Sequence, residues 1–157
     1  MANMCENVLS VNGDYADLLR FDSKFRGGKE NIEENYHFDN LYPTPELPIS
    51  DACDWRKKHW GVKGNFYEPT LMRDVVNPKF RDVNYYFTTP NTGPERLIEK
   101  VSQDFPTLTF SLVYRELGND IRQAQIYEAG KLVSDERLSY DDMMYWFGED
   151  EGIEKSA

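Results

Sequence analysis

The chain has 157 residues, the length of one domain, and sets 28 acidic side chains against 18 Lys and Arg for a formal net charge of -10. An extended nucleic-acid contact would need a basic patch that no segment supplies. Ten Tyr, nine Phe and three Trp exclude a disordered chain, and no run approaches the roughly twenty apolar residues of a transmembrane helix.

Met4 to Gly13 alternates, with Cys5, Asn7, Leu9 and Val11 on one face and Val8 and Ser10 on the other, which predicts a first strand ended by Asn12-Gly13. Asp14 caps a following helix in which Leu18, Phe21 and Phe25 recur at helical spacing until Gly27-Gly28 stops it. Residues 28 to 50 mix acids and amides with Pro43, Pro45 and Pro48 and read as a long excursion over the surface. A short helix from Ser50 to His59 delivers Trp60-Gly61-Val62-Lys63-Gly64-Asn65. Residues 61 to 66 are expected to form a short strand, and 66 to 82 a loop punctuated by Pro69 and Pro78.

Val83, Tyr85 and Phe87 alternate with Asn84, Tyr86 and Thr88, a strand closed by Pro90. Thr92-Gly93-Pro94-Glu95 has the pattern of a capping box with an early proline, and Leu97, Ile98, Val101 and Phe105 form the apolar stripe of a helix over 94 to 104. After Pro106, Leu108, Phe110, Leu112 and Tyr114 share one face of a strand. Gly118-Asn119 turns the chain into a strand from Arg122 to Glu128, and Ala129-Gly130 turns it again into a short Leu132-Val133 strand. Ser139 with Asp142 resembles a cap, and Tyr140, Met143, Met144 and Phe147 belong to a terminal helix ending at Gly148. Residues 149 to 157 read as an acidic, flexible tail.

This order predicts an α+β fold, a ferredoxin-like split βαβ sandwich. It would have a mainly antiparallel sheet with two helices on one face, a long loop insertion at about 28 to 82 and an extra C-terminal hairpin and helix. One domain spans residues 1 to 148.

Met4-Cys5-Glu6-Asn7, His59-Trp60-Gly61-Val62-Lys63-Gly64-Asn65, Asp104-Phe105-Pro106 and Tyr114-x-Glu116-x-Gly118 together resemble the YubB-like family of plasmid and phage proteins of unknown function. The family pattern has Trp before the cysteine and an aromatic after the lysine, where this chain has Met4 and Gly64. The resemblance implies a ferredoxin-like domain and a mobile-element origin. It implies no catalytic residue.

The candidate binding residues are Trp55, Trp60, Lys63, Asn65, Tyr114 and Glu116. Trp60, Lys63 and Asn65 can line a site with an indole face and two donors, or can plug a core edge where glycines let the backbone turn. Glu116 falls on the core side of its strand, where an unpaired carboxylate is costly. It therefore needs a donor such as Lys63, Asn7 or a helix N-terminus, or must stay wet at the sheet rim. Asn7 is expected to bridge backbone groups of an adjacent loop.

His37, His59, Cys5 and Cys53 lack metal-ligand spacing, no nucleophile elbow appears, and Gly27-Gly28-Lys29 lacks phosphate-loop spacing, so no metal, cofactor or catalytic residue is assigned. Two cysteines are too few for a disulfide scaffold, and in the reducing cytoplasm expected for this chain their default state is free thiols.

The leading expectation is a cytoplasmic, non-enzymatic accessory protein that binds a protein partner through the tryptophan segment and the excursion beside it. No nucleic-acid or membrane contact is expected, and an exposed sheet edge permits homo-oligomers. A second reading is an enzyme using Glu116 and Lys63 as an acid-base pair. A third is an acidic DNA mimic built on the clusters at Glu30 to Asp39, Asp135 to Asp142 and Glu149 to Glu154, although Arg56-Lys57-Lys58 interrupts the acidic surface.

Overall fold

Alternation fixes the sheet. In the computed structural model, which describes residues 3–28, 35–67, 71–74 and 76–148, strands β1 (Met4–Gly13), β2 (Met72–Arg73), β3 (Asp82–Pro90), β4 (Leu108–Glu116), β5 (Ile121–Glu128) and β6 (Lys131–Arg137) form one six-stranded sheet. The order is β2-β3-β1-β4-β5-β6 and every pairing is antiparallel. β1 is central, paired from Met4 opposite Pro90 on one side and from Glu6 opposite Arg115 on the other.

Four α-helices accompany the sheet among the described residues: α1 (Tyr15–Phe25), α2 (Ile49–His59), α3 (Glu95–Asp104) and α4 (Tyr140–Phe147). Leu18, Phe21 and Phe25 of α1 and Leu97, Ile98 and Val101 of α3 pack with Leu9, Val11, Tyr85, Phe110 and Leu112 in the main core. These strand residues share one sheet face because strand side chains repeat every two positions. Val8, Val113, Leu138 and Met143 are also buried, outside that cluster. Trp146 and Phe147 of α4 flank Val8 and Thr88 on the second face.

The α1 boundaries follow the sequence closely. The Asp14 carboxylate accepts from the Asp17 amide, and Gly27 and Gly28, at φ +101° and +69°, take the left-handed conformations that end the helix. The Ser139 hydroxyl accepts from the Asp142 amide and starts α4.

Three local expectations fail. Residues 61–64 bend without forming a strand, and the edge strand is Met72–Arg73, inside a segment expected to be loop. β6 runs from Lys131 to Arg137, well beyond Leu132-Val133, because its whole length pairs with β5. The stretch after α1 runs only partly over the surface: Tyr36, Phe38 and Leu41 turn into the main core before the exposed run at 45–50, and Trp60, Val62 and Phe66 join them beyond α2. Aromatic edges meet there, with Phe38 edge-on to Trp60 at 5.7 Å, to Phe66 at 5.3 Å and to Phe87 at 5.7 Å. The expected tail at 149–157 and the acids at 30–34 lie outside the described residues.

No helix among the described residues is long and apolar enough to cross a membrane.

Candidate functional site

The tryptophan segment emerges from the C-terminus of α2, where Arg56, Lys57, Lys58 and His59 complement the negative end of the helix dipole. Trp60 follows as the capping residue and is fully buried. Its indole N–H donates to the Tyr42 carbonyl at 2.9 Å, and the Arg56 guanidinium lies 5.5 Å from its ring.

Gly61, at φ +85°, then turns the backbone against the start of α3. The turn aims the Trp60 carbonyl at the Leu97 amide, 3.1 Å away, one of the donors a helix start leaves without an internal partner. This contact stands where a capping box was expected, since α3 has no side-chain cap. Glu95 faces inward instead, because the buried Tyr114 hydroxyl and the Gln125 amide offer it donors.

The other candidates separate into three environments. The Asn65 side-chain oxygen accepts from the Phe38 amide at 3.0 Å, tying the segment to the preceding loop. Lys63 is half-buried and has no hydrogen bond or ion pair among the described residues. Trp55 is half-buried at the surface of α2, stacked on His59 with ring centres 4.4 Å apart and edge-on to Tyr42 at 5.2 Å. The Tyr42 hydroxyl meets His59 Nδ1 at 3.2 Å, and Lys100 Nζ lies 5.6 Å from the Tyr42 ring. Nearby in sequence, Leu47 is 42% exposed and Ile49, the first residue of α2, is 86% exposed.

Tyr114 and Glu116 sit at the far end of β4. Both Glu116 oxygens are engaged by the turn that follows: Oε1 accepts from the Gly118 amide, and Oε2 from the backbone and side-chain amides of Asn119, all at 2.9 Å. Neither Lys63 nor Asn7 partners it, and its carboxylate shapes the hairpin. Tyr114 donates to the Glu95 carboxylate. Gln125 Nε2 reaches the same carboxylate at 3.0 Å while its own carbonyl accepts from the Tyr127 hydroxyl at 2.8 Å. Burial, followed by the facing Glu95, pushes the Tyr114 phenol well above its ordinary range. The ring packs so closely on Gly93 that a β-carbon there would lie 2.4 Å from Tyr114 Cδ1.

Asn7 bonds within the sheet rather than to a loop, donating to the Cys5 carbonyl at 3.1 Å and to the Thr89 hydroxyl at 2.9 Å. Cys5 beside it is fully buried, and burial raises its thiol to about 12 against the opposing influence of Thr89. Iodoacetamide at pH 8 is therefore expected to modify the partly exposed Cys53 and to spare Cys5 until urea unfolds the protein, read by mass spectrometry. The folded state holds the Cys5 proton more tightly than the unfolded one. Its stabilising contribution is thus complete below about pH 9 and is lost as pH rises from there to about 12.

One constellation escapes the sequence. Asp22 of α1 is buried, and its Oδ1 accepts from the Tyr36 hydroxyl at 2.9 Å and the Tyr85 hydroxyl at 2.7 Å, with Arg73 Nε at 3.5 Å. The signal was present, since position 22 lies four residues from Leu18 on the apolar stripe of the helix. A carboxylate there must find buried partners. His37 accepts from the Asp39 amide and His59 stacks on Trp55. Among the described residues no group of three or more His, Cys, Asp and Glu side chains could hold a metal ion.

No family model matches the chain, and no curated protein sequence matches it. In structure it is similar to protein api92 from Yersinia pseudotuberculosis, a crystal structure assigned to the family model DUF1281, at a TM-score of 0.68 and 9% sequence identity. The match covers 88% of this chain and 99% of that one. At such identity the likeness is one of fold.

Proposed function

We propose that this chain is a non-enzymatic protein-binding module of a plasmid or phage, acting in the cytoplasm, with its recognition surface on α2 and the loop before it. The observation that carries the reading is the half-exposed stack of Tyr42, Trp55 and His59 on an element that also exposes Leu47 and Ile49. Aromatic anchors ringed by apolar and basic side chains are what protein interfaces use at their centres. Trp60 supports that surface from below, without itself reaching solvent.

The ferredoxin-like reading of the fold draws support from the antiparallel run β4-β1-β3-β2, with α1 following β1 and α3 joining β3 to β4. The mobile-element origin rests on the YubB-like motifs. The acid-base reading is the weaker one, because the Glu116 oxygens are filled by amides of its own turn.

The test is capture from nuclease-treated host lysate with tagged wild-type protein and an Ile49→Asp, Trp55→Ala variant, both checked by circular dichroism. A salt-resistant partner retained by the wild type and lost in the folded variant is expected. An equal set of captured proteins would remove α2 as the recognition surface.

A further inference from the structure

On the opposite face of the sheet from the main core, two adjoining concavities meet at Glu6 and Thr88. One, of about 230 Å³, lies between the sheet and α4, with Val8, Tyr86, Trp146 and Phe147 among its walls. The other, of about 490 Å³, continues past Met4 to Glu116 and Gly118. Together they present the rings of Tyr86, Trp146 and Phe147 and the Glu6 carboxylate, and among the described residues neither is lined by a lysine or arginine. We propose that this trough receives a basic side chain, lysine or arginine, from a peptide segment of a partner protein.

Three features fit that occupant. The trough is apolar at the α4 end and carries the half-exposed Glu6 carboxylate beside it, so an aliphatic stem can lie against Val8 and the rings while its charged head reaches Glu6. The Glu6 side chain is 41% exposed, and only its Oε1 is engaged, by Arg115 Nε at 3.0 Å, leaving Oε2 without a hydrogen bond among the described residues. The rings of α4 already accept guanidinium groups from the sheet, Arg115 at 4.9 Å from the Phe147 ring and Arg122 at 4.5 Å from Tyr140. A net charge of -10 steers cationic partners toward the molecule and anionic ones away. None of these residues belongs to the α2 surface, so the inference stands whether or not that surface binds.

The experiment is a titration of the ¹⁵N-labelled full chain with acetyl-Gly-Lys-Gly-amide, its arginine counterpart and its citrulline counterpart, which keeps the arginine shape without the charge. The lysine or arginine peptide is expected to shift the Trp146 indole and the Glu6 and Val8 amide signals. Binding should be roughly tenfold weaker for citrulline and for the arginine peptide on Trp146→Ala, given the size of cation–ring and charge-assisted contacts. Glu6→Gln would also deprive the buried Arg115 of its ion pair, so Trp146→Ala is the variant that tests the trough. Equal shifts with citrulline, or none in these signals with either basic peptide, would overturn the proposal. So would spermidine binding more tightly than both basic peptides, which would make the occupant a free polyamine.

Discussion

Replacing Trp60 with alanine is expected to cost about 3–5 kcal/mol, the usual range for removing a large aromatic side chain from a packed interior. The ring is fully buried and meets Phe38 and Trp55 edge-on, so its removal leaves a void lined by rigid rings that cannot collapse into it. The indole hydrogen bond to the Tyr42 carbonyl goes with it, leaving a partly buried acceptor to water or to nothing. Small domains hold only about 5–15 kcal/mol in total, so the variant would lie near the folding threshold. Urea denaturation followed by circular dichroism measures the loss. Trp60→Phe keeps most of the apolar volume and should lose clearly less. A Trp60→Ala variant within about 1 kcal/mol of the parent would mean that the indole is not a core residue.

Asp22→Ala is expected to be the second most damaging single change, at about 2–5 kcal/mol, because it removes the buried acceptor that the Tyr36 and Tyr85 hydroxyls share. It also deprives Arg73 on β2 of a carboxylate at 3.5 Å. The effect is one of unmet donors, and that makes a specific prediction about the double variant. Adding Tyr85→Phe to Asp22→Ala removes one stranded hydroxyl and should recover part of the loss, although Tyr85→Phe alone should destabilise the parent. Asp22→Asn, which retains an acceptor oxygen, should lie between the parent and Asp22→Ala. If the two substitutions simply add in urea unfolding, the hydroxyl does not depend on Asp22.

Where a period existed, the sequence was readable. The alternation of Val83, Tyr85 and Phe87, the stripe through Leu97, Ile98 and Val101, and the caps at Asp14 and Ser139 all correspond to observed elements. The segment from Tyr36 to Phe66 was not readable, because its core residues arrive through loops and one short helix rather than at a repeating interval. Trp60 and Asn65 were legible as unusual, but whether a large ring faces ligand or core depends on what approaches from elsewhere, here Phe38 and the start of α3. Glu116 was legible as a carboxylate in need of donors. Its partners proved to be two and three residues further along, a choice made by turn geometry that no periodicity encodes. The pairing of Asp22 with Tyr36, Tyr85 and Arg73 joins residues up to 63 positions apart, beyond the reach of any local pattern.

The central position of β1 also governs when the molecule can form. Its two neighbours are met at great separation along the chain, Met4 opposite Pro90 and Glu6 opposite Arg115, so β1 leaves the ribosome well before either strand that pairs with it. Until β3 has emerged, β1 has neither ladder, and α1 has no Tyr85 against which to set Phe21 and Phe25. The nascent chain must therefore carry an unpaired strand with Cys5, Val8, Leu9 and Val11 uncovered until Pro90 has emerged, an interval in which chaperone protection has the most to act on.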